Sequence, residues 1–450
     1  MNKINYIIAA VLAVILITVF AVVAFTDEPG NDNSDIEEAT NEKSENEDSS
    51  TDDESPDNSS VSKDGSEDNH SSGDGSEPDE SSEVSDPSEE TTSEPDTSET
   101  EPVIETWEYD GLSVRHLFTH CLIAWPELAP SGAYRDCVTV SEWNSILQQL
   151  YDNDFVLIDI NYMYETYTDT DGTQKIRIKD KITVPKGKKP VVISIDDVVY
   201  DPKKTNQGMV DKLVVKNGEL WAYTLFKDGT EDYSQDNEIF PILESFIKEH
   251  PDFSYKNARC TLCLTGFCGI LGYRTAPSFA DQGIDYMAER NKAAVVVDWL
   301  KKHGYSFASH SYAHGMMGSF SAERMEEDCK QWKDEVASLV GETCIFVYPY
   351  GDWPKYDTRQ HKILLEYGFK FFCGTSIYNY LANGFPGKGA SVGNAFCDRF
   401  TMAGTILEKA AEKNDSGVYD KYKRMSEYFD PFEVYDNENR PVKLVRPDDL

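Results

Sequence analysis

Apolar positions follow three patterns along this chain. Residues 6–25 form one apolar run without a charge, residues 26–105 hold almost no apolar side chains, and from residue 106 short apolar runs alternate with segments of helical period. In that last region, residues 114–123 read as a first strand. Thr139-Val140-Ser141-Glu142 fits a capping box, and Trp143, Ile146, Leu147 and Leu150 follow at helical spacing. Residues 155–160 read as a buried strand, and so does Val191-Val192-Ile193-Ser194-Ile195, which stops abruptly at Asp196 and Asp197. An insertion over 198–238 carries a hairpin at 214–221 built on the Asn217-Gly218 turn. Beyond it, helical patterns at 240–247, 291–303 and 322–339 alternate with strand patterns at 260–265, 305–308, 344–348 and 369–373, and Gly341 stands as a helix stop. Repeated strand–helix units with short loops predict an α/β fold with a parallel barrel, whose catalytic loops all leave the same rim.

Composition then divides the chain. The run at 6–25 is long enough to cross a bilayer, so it is expected to be an uncleaved single-pass anchor with residues 1–5 on the cytoplasmic side; a cleaved signal peptide ending near Val22-Val23-Ala24 is the alternative. Residues 26–105 carry thirty acids against two lysines, most of the formal charge of −39. Such a segment cannot bury enough apolar surface to offset its conformational entropy, which predicts a disordered acidic tether. Residues 106–450 are long enough for one large core and only mildly acidic, which gives no reason to expect a nucleic-acid partner. A monomer facing the cell wall, held to the membrane by the N-terminal helix, is the expected state. All nine cysteines lie in this region. Cys260 and Cys263 are spaced to point to opposite faces of a strand, so they are expected to be core thiols rather than metal ligands.

The candidate chemistry gathers at strand ends. His310 and His314 follow the apolar run 305–308, and their spacing of four would put both imidazoles on one face of a helical turn. Two histidines alone are equally well explained as hydrogen-bonded groups at a strand end. An open catalytic zinc takes three protein ligands, and the adjacent acids Asp196 and Asp197 at another strand end are the obvious further donors.

These residues resemble the metal-dependent polysaccharide deacetylases, the NodB-homology group of carbohydrate esterase family 4, over most of residues 106–450. Ser194-Ile195-Asp196-Asp197 is similar to the family's Thr-Phe-Asp-Asp-Gly, His310-Ser311-Tyr312-Ala313-His314 matches its His-Ser/Thr-x-x-His, and Tyr348-Pro349-Tyr350-Gly351 resembles the end of its Arg-x-Pro-Tyr-Gly. The resemblance implies a distorted (β/α) barrel and a divalent metal, most simply zinc, on Asp197, His310 and His314. It implies Asp196 as general base and the backbone N–H of Tyr350 as an oxyanion donor. The implied activity is hydrolytic removal of N-acetyl groups from amino-sugar polysaccharides such as peptidoglycan or an exopolysaccharide. The sequence departs from the family at two functional positions. Val347 stands where the family has the arginine that orients its catalytic acid, and no histidine follows His361 to protonate the leaving amine. Arg399 is a candidate to replace the first spatially, and His120 and His116 are candidates for the second, though a structural role is the preferred reading of each histidine. An inactive metal-containing carbohydrate-binding module and an O-acetyl esterase on the same scaffold are the competing readings. If Asp196 is the base, Asp196→Asn is expected to keep metal and fold while activity falls.

Overall fold

The computed structural model describes residues 104–389, 392–448 and 450. The anchor at 6–25, the residues before it and the acidic linker up to residue 103 lie outside them. Among the described residues no helix is long and apolar enough to cross a membrane.

Seven parallel strands close into a barrel: β1 (Arg115–His120), β2 (Lys189–Asp196), β3 (Thr261–Leu264), β4 (Ser306–Ser309), β5 (Ile345–Val347), β6 (Phe371–Ser376) and β7 (Ala395–Thr401). They pair in chain order from β2 to β7, β7 pairs with β1, and β1 with β2. Strand β2 is the longest because one of its edges serves two neighbours. Its first half takes the short strand Phe155–Leu157 and its second half takes β3. The ladder between β4 and β5 is the thinnest, with a single registered pair, Ser309 and Phe346.

Alternation along the strands sorts the side chains into two cores. Ile193, Ile195, Leu262, Phe307, Phe346 and Phe372 face outward, against helices that include α1 (Val140–Asp152) and α2 (Ile239–Glu249). The other parity, with Val192, Cys263, Ala308, Val347, Cys373 and Cys397, fills the barrel. Cys260 and Cys263 accordingly fall into different cores, both as buried free thiols. In the inner set the positions toward the carboxyl ends of the strands turn polar: His120 on β1, Ser194 and Asp196 on β2, Arg399 on β7.

Local structure follows the sequence signals closely in several places. Both halves of the Thr139–Glu142 capping box are made, and Trp143, Ile146, Leu147 and Leu150 are fully buried. Helix α3 (Tyr286–Lys302) starts earlier than the periodicity indicates, because Asp285 caps it by accepting from the Ala288 N–H. Helix α4 (Ala322–Gln331) is not one continuous α-helix to residue 339. It passes into a π-type segment, Trp332–Ala337, and ends at Gly341, whose φ of 89° only glycine adopts freely. The insertion is larger than a hairpin: Lys212–Lys216, Glu219–Leu225 and Glu231–Ser234 form a three-stranded antiparallel sheet. Its first turn is the expected Asn217-Gly218, both with positive φ.

The C-terminal segment is fastened to α1. Arg440 donates to both carboxylate oxygens of Glu142, at 2.6 and 2.8 Å, and to the carbonyls of Tyr134 and Cys137, with both charged side chains fully buried.

Candidate active site

The site forms where the polar ends of the inner strands meet. Asp196 is the last residue of β2 and points inward by strand parity, so the pleat alone would send Asp197 away. Asp197 instead adopts a left-handed backbone, φ 58°, and the chain bends enough for both carboxylates to reach the same rim. His310 leaves the end of β4 with its N–H donated to the Leu264 carbonyl at 2.9 Å.

The segment from His310 to His314 is not a helical turn. Ser311 and His314 have φ of 58° and 52°, which excludes helical repetition. The loop is held from α4 instead, where the buried Asp328 carboxylate accepts the N–H groups of Tyr312 and Ala313 at 2.8 and 2.9 Å and the Ser311 hydroxyl at 3.2 Å. Backbone donors that a helix would satisfy internally are satisfied by one side chain, and the spacing of four converges the imidazoles by another route.

Asp197 Oδ1 lies 3.4 Å from His314 Nε2 and 3.9 Å from His310 Nε2, and the three ligand atoms all lie within 4.8 Å of one another. Two donors about 2.1 Å from a shared ion at a tetrahedral angle stand roughly 3.4 Å apart, so this set fits a divalent metal. The outer nitrogens fit it as well. His310 Nδ1 is 2.9 Å from the Val347 carbonyl and His314 Nδ1 is 3.1 Å from the Tyr350 hydroxyl, leaving both Nε2 atoms turned to Asp197. Burial lowers the pKa of His314, against the pull of Asp197, so the ring stays neutral and available as a ligand near neutral pH.

Asp196 is backed by Arg399. The guanidinium meets its carboxylate in a fork, at 2.6 and 2.8 Å, and also donates to the Ser194 hydroxyl at 3.0 Å and the Gly374 carbonyl at 3.2 Å, over the Phe118 ring. Burial by itself would favour the protonated acid, but the Arg399 charge outweighs it and holds Asp196 well below the usual carboxylate range. The arginine missing at Val347 is thus matched by one arriving from β7. Behind it, His116 Nε2 is 2.9 Å from the Ser194 hydroxyl, and burial pushes this imidazole well below its ordinary pKa.

His120 ends β1 in register with Asp196, with Nδ1 3.1 Å from the Asp136 carbonyl. Tyr350 sits in a left-handed conformation, φ 60°, with its ring across His314 and two thirds of its surface exposed. Seven of the residues singled out in the sequence (Asp196, Asp197, His310, His314, Tyr350, Arg399 and His120) line a single cavity of about 570 Å³. His116, also singled out in the sequence, does not line it, and Asp328, which holds the histidine loop from behind, was not legible because it is a single polar residue in a helix with no telling spacing.

Residues 283–372 match the family model of the polysaccharide deacetylases, a stretch that contains His310, His314 and Tyr350. The resemblance of the histidine and Pro349 motifs to that family is borne out over this stretch. No curated protein matches the chain. Similar solved structures include the Streptococcus pyogenes deacetylase PplD in complex with acetate, 14% identical over 65% of this chain and 93% of that one, with a TM-score of 0.35. A de-N-acetylase from Aggregatibacter actinomycetemcomitans is 11% identical over 68% and 99% of the two chains, with a TM-score of 0.34. IcaB from Ammonifex degensii is 12% identical over 66% and 93%, with a TM-score of 0.31.

Proposed function

We propose that the protein is a metal-dependent hydrolase that removes N-acetyl groups from amino-sugar polysaccharides, peptidoglycan or an exopolysaccharide, outside the cytoplasmic membrane. The observation that carries this reading is the convergence of Asp197, His310 and His314 beside an ionised Asp196 on one cavity wall. Those three side chains would hold the ion. When bound, a divalent metal, most simply zinc, supplies Lewis acidity to water and to the acyl oxygen.

The chain's own groups divide the remaining work. Arg399 keeps Asp196 ionised and fixes its plane, so that Oδ2, 3.8 Å from His310 Nε2, faces the place where water gives up its proton. The Tyr350 backbone N–H, presented by its left-handed turn, steadies the acyl oxygen as charge develops. His120, at the end of the neighbouring strand β1 beside Asp136, delivers a proton to the departing amine. The cavity, about 570 Å³, has room for a sugar ring and its acetamide. In the same reading, residues 6–25 anchor the chain and 26–105 tether the hydrolase at a distance; separating membrane from soluble fractions would sink the anchor if the full chain remained soluble.

Release of acetate from partially acetylated glycans by the full chain, measured after chelation and again after adding zinc, tests the activity. Release that disappears on chelation and returns with zinc is expected. No release from any acetylated glycan would overturn the reading.

A further inference from the structure

The outer nitrogens of the two candidate ligand histidines are both engaged by one short segment, residues 347–350, yet by partners of opposite character. His310 is met by the Val347 carbonyl, part of a fully buried strand, and His314 by the phenol of Tyr350, which is 67% exposed. We infer that the Tyr350 hydroxyl is a positioning group for His314, accepting the Nδ1 proton so that Nε2 keeps its lone pair directed at the metal position. This deepens the reading of Asp197, His310 and His314 as a metal site and rests on it.

Three observations support it. Tyr350 holds a left-handed φ of 60°, a conformation that L side chains rarely adopt, and in it the ring lies across His314. The ring gains little from burial, and its contacts are with His314, edge to face at 4.7 Å, and through the hydroxyl at 3.1 Å. An imidazole binds an ion through one nitrogen only when the other carries the proton, and that proton needs an acceptor; Tyr350 Oη is the acceptor His314 has. His310 has a backbone acceptor that no side-chain change removes, so the His314 arm is the one that depends on a single hydroxyl.

Tyr350→Phe isolates the effect, because it keeps the ring and the backbone and removes only the hydroxyl. Zinc affinity of the metal-free full chain, measured by competition with a chromophoric chelator, is expected to fall about 10- to 100-fold in the variant, with the melting temperature of the metal-free protein unchanged. In wild type, nitrogen-15 spectra of the metal-free protein should show His314 protonated at Nδ1. Equal zinc affinity in wild type and Tyr350→Phe, or His314 protonated at Nε2, would overturn the inference while leaving the metal site standing. A wild type that takes up no stoichiometric zinc would overturn both.

Discussion

Among the described residues two arginine–carboxylate pairs lie fully buried, and they differ in what the carboxylate has left to give. Glu142 is saturated: besides the fork from Arg440, one oxygen accepts the Asp436 N–H at 3.0 Å and the other the Thr139 N–H at 2.9 Å. Asp196 receives the fork from Arg399 and, beneath it, the Cys263 thiol, while its Oδ2 also lies 3.8 Å from His310 Nε2 at the cavity wall. Both arginines spend their other donors on fixed oxygens, Tyr134 and Cys137 carbonyls in one case, Ser194 and Gly374 in the other. A saturated carboxylate can only hold structure together, whereas one with spare acceptor capacity beside a cavity can also take a proton. Chemical identity and burial are the same, so neither distinguishes a clasp from a catalytic group.

The largest expected difference between the pairs is kinetic. Asp196→Asn should lower acetate release by roughly two to four orders of magnitude, the usual contribution of a positioned proton acceptor. Glu142→Gln should leave turnover per folded molecule unchanged. Equal kinetic losses, measured on preparations corrected for folded fraction, would erase the distinction.

In stability the pairs should behave alike. Each substitution strands a buried guanidinium, and breaking such a pair by removing one partner costs about 3–5 kcal/mol, readable in urea unfolding of both variants. Asp196→Asn was expected to spare the fold; the full burial of the Arg399 fork, which the sequence did not show, points instead to a loss of stability. Sign matters for acid titration too. The native Asp196 is held below its ordinary value of 3.8, so its contribution is full above that value and is lost as pH falls through the lower native one.

A third buried carboxyl sharpens the contrast with a smaller effect. Glu238 caps α2, accepting the Ile239 and Leu122 N–H groups on one oxygen, with no arginine in contact, and burial pushes its pKa up to about 8. Its stabilising contribution is full below the ordinary value of 4.5 and is lost as pH rises through about 8. Unfolding free energy should therefore decline across that window, and Glu238→Gln should flatten the decline. An unchanged slope in the variant would mean that the carboxyl is ionised in the folded protein and that burial without a cation is not what separates it from the other two.

Much of the barrel could be read from the chain because its strands are short apolar runs ending at chemistry-bearing residues. The acid pair, the histidine pair and the Pro349 turn all stand at strand ends and all reach the cavity. Strand β7 escaped that reading because Asp398 and Arg399 interrupt it, and a charged pair argues against a buried strand unless its partner, here Asp196, is already known. The hairpin of Tyr164–Thr168 with Gln174–Ile178 escaped for a different reason: its strands are rich in Glu, Lys, Arg and Thr and bury only part of one face. The helical turn expected between His310 and His314 failed because Asp328, a residue of another element, satisfies the loop's donors. Periodicity reports what an element does for itself, and each of these cases was decided by a distant partner.

The thin ladder between β4 and β5 gives His310 a mechanical duty. With one registered pair joining these strands, the bond from its ring to the Val347 carbonyl spans the same gap and acts as an extra rung. The least reinforced stave of the barrel is thus clamped by a side chain whose other nitrogen faces Asp197 in the proposed metal site. Loading that centre should tighten the stave, and emptying it should let the amides nearby breathe, so that slow hydrogen exchange along Ser306–Ser309 and Ile345–Val347 becomes a gauge of occupancy read from the barrel wall itself.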